Sequence, residues 1–435
     1  MPPLPILPIR AFMRILLLTQ WFQPEQNFKG LPLAQALANL GHEVEVLTGF
    51  PNYPGGKLYP GHRIKMRQVE TMGGVRVTRA PLYPSHDSSV FGRILNYSSF
   101  AISSALLIFT IRRPDVVYVY CPPMTAATAA TALRLIRRVP YVIDVQDLWP
   151  DTLVSTGMVK EGTIVKLVGL WSALAMRWAN ALIVLSPGFR VRLEERGATC
   201  PIHVIPNWAP PEIEEMGSID PPRVGTHRET FNILFAGNMG KAQSLETVIL
   251  AAKRLKKEVP FIKFTLIGGG VDVERLKALS ASAGTDNIVF LPPRSTKDMA
   301  SVFREADALL VHLRDDPLFS ITIPSKTQAY LAMGLPILMG VRGDAADMLE
   351  AAQAGIVFTP EDADSLAESA VQLAAMSHKA REAMGRSGSA FYREHLAFST
   401  GVKAIERVLS AATDKIKEDI SPQSPQTDRD KPRAS

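Results

Sequence analysis

The sequence predicts an α/β protein with two doubly wound domains, each built around a parallel sheet. Short apolar runs alternate with helix-length segments over most of the 435 residues. These runs are apolar on both faces, which is typical of parallel strands covered by helices on both sides. The alternation stops once, in a stretch rich in proline and acidic residues, and then begins again. We therefore expect two such domains facing a central cleft, with ligands at the carboxyl ends of the strands.

The first domain is predicted to begin with a strand, a helix and a second strand. RILLLT (Arg14–Thr19) and EVEVLT (Glu43–Thr48) flank a segment with leucines at helical spacing, which ends at Gly41. Three further apolar runs continue the series: DVVYVY, YVIDV and ALIVLS. We place this domain at residues 13–208, after a leader or misassigned start at residues 1–12.

An interdomain linker is expected at residues 209–228, where prolines, acidic residues and glycine displace the periodic pattern. The second domain then occupies residues 229–395. Its strands are predicted at FNILFAG, KFTLIGGG, IVFL, ALLVHL and PILMG, and its helices begin at Leu245, Val273, Lys297 and Ser325. A helix at residues 396–415 follows, and residues 416–435 have the composition of a disordered tail.

Composition and charge restrict the class of protein. Hydrophobic residues make up 46% of the chain and charged residues 21%, which excludes a disordered or fibrous protein. The two cysteines exclude a disulfide scaffold and favour a reducing compartment such as the cytoplasm. Residues 1–208 carry 21 basic against 12 acidic residues. This excess suggests a phosphate-bearing substrate or an anionic membrane surface, whereas no recognition motif indicates nucleic acid.

One uncharged segment bears on the membrane question. Ile94–Ile111 has 18 residues, but it includes an asparagine, four serines and a threonine, so it is a poor candidate for crossing a bilayer. A buried helix or a helix lying at the membrane surface fits the composition better. Cations flank the segment at Arg93, Arg112 and Arg113, as a helix at the interface prefers.

The second domain contains three stretches that suit an anionic ligand. Glycines at strand ends allow a close approach of the backbone, and helix N-termini offer unpaired N–H groups. A lysine in the first turn of a helix opposes the helix dipole, and an anion would resolve that conflict. Ordinary turns and solvated lysines are the alternative in each case. The candidates are Gly237, Asn238, Lys241 and Gln243; Gly268, Gly269 and Gly270; and Ser320, Ser325 and Lys326.

The first domain contributes a carboxylate cluster and a glycine loop. YVIDVQDLWPD brings Asp144, Asp147 and Asp151 to the end of a strand, beside Trp149, which can stack on a sugar ring. Of the three, Asp147 is the predicted catalytic residue, and strand-edge or capping roles are favoured for the other two. No histidine or cysteine lies close by in the sequence, so no metal is expected. Lys29 and Gly30 precede the first helix and form a second possible phosphate contact.

These motifs together resemble glycosyltransferase family 4, whose members have the GT-B fold of two Rossmann-like domains. The resemblance is closest to the bacterial branch that builds O-antigen, capsule and colanic-acid-like polysaccharides. It covers nearly all of the chain from Met13 to about His395. The matching segments, in order, are RILLLTQWFQPE, LGHEVEVLTGFPNYP, PDVVYVYCPP, DVQDLWPD, ALIVLSPGF, VIPNWA, FAGNMGKAQSLETV, TLIGGG, DALLVHL and IPSKTQAYLAMGLPIL.

The resemblance implies a retaining transferase that needs neither a metal nor a cofactor. The second domain would hold a nucleotide-diphosphate sugar, with the Gly237 and Gly268 loops, Lys326 and the Pro292–Arg294 segment around it. Lys29 and Gly30 would close over the phosphates. The first domain would hold a polyprenyl-diphosphate-linked saccharide at the inner face of the plasma membrane, with Asp147 and Trp149 beside it. A UDP-linked, N-acetylated amino-deoxy hexose is the donor that this branch suggests.

The chain departs from the family pattern at several positions. Ile321 and Ala329 replace two glutamates, one of which binds the ribose hydroxyls, so the ribose contact stays unassigned. Asn238 and Gln243 replace an arginine and a lysine, and Gln146 replaces a histidine. Two alternatives therefore stay open, a nucleotide-sugar epimerase with the same fold and a non-catalytic subunit that binds nucleotide sugar.

Overall fold

The computed structural model describes residues 12–25, 27–85, 90–121, 123–151, 162–219, 230–295 and 298–420. The chain divides into two compact units. The first comprises residues 1–149, 163–182 and 405–435, and the second comprises residues 150–162 and 183–404. The predicted leader, apart from Phe12, and the part of the predicted tail beyond residue 420 lie outside the described residues.

The first sheet has eight strands in the order β3-β4-β2-β1-β5-β6-β7-β8. The pairs β4–β2, β2–β1, β1–β5 and β5–β6 are parallel, and β3–β4 is an antiparallel pair. The strands are β1 Arg14–Leu18, β2 Glu43–Gly49, β3 Gln68–Met72, β4 Val75–Ala80, β5 Val116–Cys121, β6 Tyr141–Val145, β7 Ala181–Val184 and β8 Ile202–Val204.

The second sheet has six strands in the order β11-β10-β9-β12-β13-β14, and all its pairs are parallel. The strands are β9 Phe231–Ala236, β10 Ile262–Ile267, β11 Ile288–Leu291, β12 Ala308–His312, β13 Ile337–Gly340 and β14 Gly355–Val357. Alternate residues of β9 enter two separate apolar clusters: Ile233 packs in one and Leu234 in the other. Both faces of this sheet are therefore buried, as expected for a doubly wound domain.

The helices largely follow the strands in alternation. They are α1 Leu31–Asn39, α2 Val90–Leu107, α3 Ala127–Arg137, α4 Thr163–Trp178, α5 Pro187–Glu195, α6 Pro211–Ile219, α7 Glu246–Glu258, α8 Val273–Ala283, α9 Met299–Arg304, α10 Pro317–Ser320, α11 Ser325–Met333, α12 Asp344–Ala352, α13 Ala363–Ala375, α14 His378–Phe391 and α15 Phe398–Ile420. The prediction of two doubly wound α/β domains is confirmed. Among the described residues, no helix is both long and apolar enough to cross a membrane.

The predicted linker at residues 209–228 is partly wrong, because α6 lies within it. This helix belongs to the second unit and packs against α11. A Cβ on Gly217 of α6 would lie 2.0 Å from the carbonyl oxygen of Ala332, so the two helices touch through their backbones. The acidic residues Glu212 and Glu214 in its first turn favour the helix dipole. The prolines thus mark the start of a helix, not an irregular connection.

Candidate functional site

Two glycine loops meet at the carboxyl ends of β9 and β10. The Met239 amide donates a hydrogen bond to the Gly269 carbonyl at 2.7 Å. A Cβ on Gly268 would lie 1.8 Å from the Gly237 carbonyl oxygen, and Gly268 has a φ of +147°. A Cβ on Gly270 would lie 2.3 Å from the Met239 carbonyl oxygen. These glycines are therefore required for backbone packing, which holds the Gly237 loop in one position.

The loop after β9 carries two exposed side chains and one that is held by a hydrogen bond within the loop. Asn238 and Lys241 are exposed, as a contact with a ligand requires. Gln243 is not free in the same way, because its Oε1 accepts a hydrogen bond from the Gly240 amide at 3.0 Å. Gln243 is a predicted contact for the nucleotide-sugar donor, but this oxygen caps the turn at residues 241–243 instead.

His312 at the end of β12 supports the same turn. Its Nε2 accepts a hydrogen bond from the Glu361 amide at 3.0 Å, which leaves Nδ1 to donate to the Gln243 carbonyl at 2.7 Å. Burial lowers the pKa of this imidazole below its usual value. Both ring nitrogens of His312 thus bind backbone groups, so its role is structural.

Lys326 lies in the first turn of α11, and its ammonium group is the most distinctive feature of the second unit. The Nζ atom is buried and has no hydrogen-bond partner among the described residues. It lies 3.6 Å from the centroid of the Phe235 ring, and a Cβ on Gly237 would be 3.4 Å from it. Burial lowers the pKa of Lys326 to about 7. A buried cation without an anion is unfavourable, so this position suits an anionic ligand.

The loop before α11 is fixed from two sides. The Ser186 hydroxyl donates a hydrogen bond to the Ile321 carbonyl at 2.6 Å, and a Cβ on Gly343 would lie 2.2 Å from the Ser320 carbonyl oxygen. Within the loop, the Ser320 hydroxyl donates to the Pro317 carbonyl at 2.8 Å. The Ser320 hydroxyl, a predicted contact for the nucleotide-sugar donor, is therefore engaged in a local hydrogen bond. Ser325, another predicted contact, is exposed at the start of the helix.

The segment that follows β11 lies beside the second glycine loop. A Cβ on Gly269 would lie 3.2 Å from the ring of Pro293, and Arg294 is exposed next to it. The structure thus brings Gly237, Gly269, Arg294 and Lys326 to the carboxyl ends of neighbouring strands and the adjacent helix. This is the edge at which doubly wound sheets bind ligands.

In the first unit, the predicted phosphate contacts Lys29 and Gly30 are both engaged by groups of the chain itself. Both side-chain groups of the pair Lys29 and Asp144 are fully buried, with Lys29 Nζ 2.6 Å from Asp144 Oδ2. Asp144 also accepts hydrogen bonds from the Tyr118 hydroxyl and the Gln146 amide. At the start of α1, Gln23 Oε1 accepts the Leu31 amide hydrogen bond at 2.7 Å, and the same carboxamide fills the space beside Gly30.

The three predicted carboxylates have separate surroundings. Asp147 is half-buried just beyond β6, and desolvation raises its pKa to about 6. This suits a group that exchanges protons near neutral pH. Asp151 is paired with Arg196 and with Arg192, as expected for a structural carboxylate.

Trp149 does not form the exposed sugar platform that the sequence predicts. Its side chain is only 8% exposed, and its ring packs against Tyr97 with the centroids 5.9 Å apart. Sequence reasoning missed a different pair, Trp21 and Tyr53, which are half-exposed and stacked on each other at 4.3 Å. They follow β1 and β2, so the pairing of these two strands was the signal that could have brought them together.

Comparisons with known proteins bear on the chemistry of these groups. Residues 31–208 match a family described as "Glycosyl transferase 4-like domain", and residues 220–391 match "Glycosyl transferases group 1". The putative colanic acid biosynthesis glycosyl transferase WcaI of Escherichia coli K12 is 28% identical over 318 residues, which cover 69% of this chain and 76% of the relative.

Two solved structures are similar in fold. The sucrose-phosphate synthase of Thermosynechococcus elongatus has a TM-score of 0.66 and 14% identity, covering 92% of this chain and 99% of that one. A structure from E. coli, described as trehalose-6-phosphate bound with UDP-2-fluoro glucose, has a TM-score of 0.68 and 13% identity, covering 91% and 99%. The chain belongs to the family 4 glycosyltransferases, with the GT-B fold, in the branch that builds bacterial surface polysaccharides.

Proposed function

We propose that the enzyme transfers a sugar, with retention, from a UDP-linked donor to a polyprenyl-diphosphate-linked saccharide. The observation that carries the donor assignment is the buried Lys326 ammonium beside the Gly237 loop, which has no hydrogen-bond partner in the part of the chain that the structure describes. A diphosphate bound there would supply the missing charge. The UDP compound in the structurally similar E. coli protein supports the choice of nucleotide.

In this proposal, the bond between the donor anomeric carbon and the phosphate oxygen breaks, and its electron pair leaves with the diphosphate. Lys326 stabilises the charge that develops on this leaving group. The acceptor hydroxyl oxygen bonds to the same carbon from the same face, and its proton passes to the departing diphosphate. Asp147 in the first unit accepts a hydrogen bond from that hydroxyl and orients it. An N-acetylated amino-deoxy hexose is the proposed sugar.

The decisive experiment incubates the purified protein with a panel of nucleotide sugars, with and without a membrane lipid extract. Transfer of sugar to lipid, with release of UDP, is the expected result. Conversion of donor to an isomer without acceptor would indicate an epimerase instead. Binding of donor without turnover in any arm would indicate a non-catalytic subunit, which the missing glutamates at positions 321 and 329 allow.

We expect activity to survive chelation. The cation for the leaving diphosphate is provided by the chain itself at Lys326, so a divalent ion is not needed for that task. Transfer rates are to be compared before and after dialysis against EDTA. A complete loss that Mg²⁺ or Mn²⁺ restores contradicts this part of the proposal.

The proposed place of action is the inner face of the plasma membrane, to which the enzyme binds peripherally. Helix α3 packs against both α2 and α4. They contain no acidic residue and five cations. Large apolar side chains project from all three, among them Leu106 (70% exposed), Ile136 (68%) and Leu170 (69%). An apolar face with cations and no anions matches an anionic lipid surface.

We therefore expect the protein to sediment with anionic vesicles at low salt and to be released at high salt, because each surface cation contributes ~1 kcal/mol and is screened. The double variant Leu106→Ser/Ile136→Ser should reduce the bound fraction severalfold. Arg112 pairs with Glu43 at 3.2 Å, and Arg113 donates a hydrogen bond to the Arg137 carbonyl at 3.0 Å. The charge variant of choice is therefore Lys166→Ser/Arg177→Ser, at two exposed cations of α4. Val191→Ser removes an exposed apolar side chain from α5 and is the control.

Equal recovery of the wild type with anionic and neutral vesicles at low salt contradicts the membrane assignment. A pellet that resists high-salt washing instead indicates deeper insertion than a surface contact. In either case the transfer assay in detergent still tests the catalytic proposal independently.

A further inference from the structure

Trp21 and Tyr53 form an aromatic pair that the proposed chemistry does not use. β1 and β2 are parallel neighbours, so the loops that follow them meet at the carboxyl edge of the first sheet. The two rings stack with centroids 4.3 Å apart and an interplanar angle of 25°. Both side chains are half-exposed. Large aromatic surfaces that are stacked yet still open to solvent are available to a ligand.

A buried carboxylate holds the two loops that carry these rings. Glu25 is 1% exposed, and its Oε2 accepts the amide hydrogen bond of Phe22, the residue after Trp21, at 3.1 Å. Its Oε1 accepts the Asn52 and Tyr53 amides at 2.6 and 2.7 Å. Desolvation raises the pKa of Glu25, and the three backbone bonds oppose that shift. The pair is thus fixed in place before any ligand arrives, which lowers the entropic cost of binding.

Asp147 supplies polar chemistry at the same edge of the first sheet. It follows β6, which is separated from β1 by a single strand. Burial is the main cause of the raised pKa of the Tyr53 hydroxyl, and the negative charge of Asp147 raises it further. Burial also raises the pKa of Tyr97 and of Tyr120, and the charge of Asp147 acts in the same direction on both. A flat apolar face beside a carboxylate is complementary to a sugar ring, which has one face of C–H bonds and a rim of hydroxyl groups.

We propose that the Trp21–Tyr53 pair is the platform on which the terminal sugar of the acceptor stacks, while Asp147 binds one of its hydroxyls. The inference rests on the proposed function and assigns the residues that bind the sugar of its acceptor. The enzyme extends a saccharide that another transferase has already placed on the lipid, and it does not act on bare lipid diphosphate.

The test uses a donor that supports transfer, with two soluble acceptors: farnesyl diphosphate carrying N-acetylglucosamine, and farnesyl diphosphate alone. Trp21→Leu keeps an apolar side chain but removes the aromatic face, whereas Trp21→Phe keeps a smaller face. We expect Trp21→Leu to raise the KM for the glycosylated acceptor about tenfold and Trp21→Phe to restore most of it. The KM for the donor is measured alongside, because a general loss of structure would raise both KM values. Phe261→Leu, at an exposed aromatic residue just before β10, is the control.

A saturation-transfer NMR experiment shows directly whether the acceptor sugar contacts the protein, which a purely structural role of Trp21 would not require. With the wild type, saturation should reach the C–H protons of the acceptor sugar, and Trp21→Leu should abolish this transfer. An unchanged acceptor KM in both variants overturns the inference, as does equal transfer to the bare farnesyl diphosphate. If Trp21→Leu does not fold, saturation confined to the farnesyl protons of the wild-type complex overturns it too. A wild type that turns over no donor in any arm overturns the proposed function instead.

Discussion

Replacing Lys326 with methionine should lower turnover about 100-fold while leaving the protein folded and more stable. One preorganised donor to a developing negative charge contributes ~3 kcal/mol to catalysis. The methionine side chain keeps the packing on Phe235 but removes a buried ammonium that has no partner among the described residues. Removing an uncompensated buried polar group is worth about 1 to 3 kcal/mol. Activity and stability should therefore change in opposite directions.

The measurement pairs kcat with the free energy of unfolding in urea. Lys257→Met, at an exposed lysine of α7, is the matched control and should change neither by much. If Lys326→Met loses stability and activity together, the ammonium is a structural group. Wild-type turnover in the variant removes Lys326 from the site.

Because the pKa of Lys326 is lowered, donor affinity and stability should both depend on pH in the wild type. As the pH rises through about 7, the free enzyme loses the proton that an anionic donor requires, so donor affinity should fall. The diphosphate diester of the donor keeps its charge over this range, and Lys326→Met should show no such slope. In the unfolded chain the lysine keeps its proton to about pH 10.4, so the wild type gains stability above pH 7. The stability advantage of Lys326→Met should shrink accordingly.

Local patterns predicted the elements of the fold well. YVIDV is strand β6, the helix expected from Val273 is α8, and the helix expected from Ser325 is α11. The last of these ends where Gly334 adopts a φ of +71°, as a C-terminal glycine should. Such features depend on residues a few positions apart, so the periodicity of the sequence is enough to predict them.

The errors at the candidate site have a common physical origin. Lys29 looks like a free cation in the sequence because its partner, Asp144, lies 115 residues away. Trp149 looks like an open indole because Tyr97 covers it from another element. The Trp21–Tyr53 pair was missed because the two residues are distant in the sequence and only the pairing of β1 with β2 brings them together. Whether a polar or aromatic side chain is available to a ligand depends on contacts distant in sequence, which no local pattern encodes.

Replacing Lys29 with methionine should destabilise the first unit by about 3 to 5 kcal/mol. The substitution leaves Asp144 fully buried without its cation, and breaking a buried ion pair from one side carries a cost of this size. The Tyr118 and Gln146 hydrogen bonds to Asp144 persist, so the main loss should be that of the charge pair. Urea unfolding measures the total, and hydrogen exchange at the amides of β6 reports the first unit specifically.

The double variant Lys29→Met/Asp144→Asn should recover most of that loss, because it removes the unpaired charge and keeps an acceptor for Tyr118. Lys257→Met again serves as the control, with an expected change within about 0.5 kcal/mol. The KM for the donor in the double variant then separates the two roles of Lys29. If its ammonium serves only Asp144, donor affinity is that of the wild type once stability is restored. If donor affinity falls more than tenfold in a folded double variant, Lys29 contacts the phosphates after all, and the buried pair must open for it to do so.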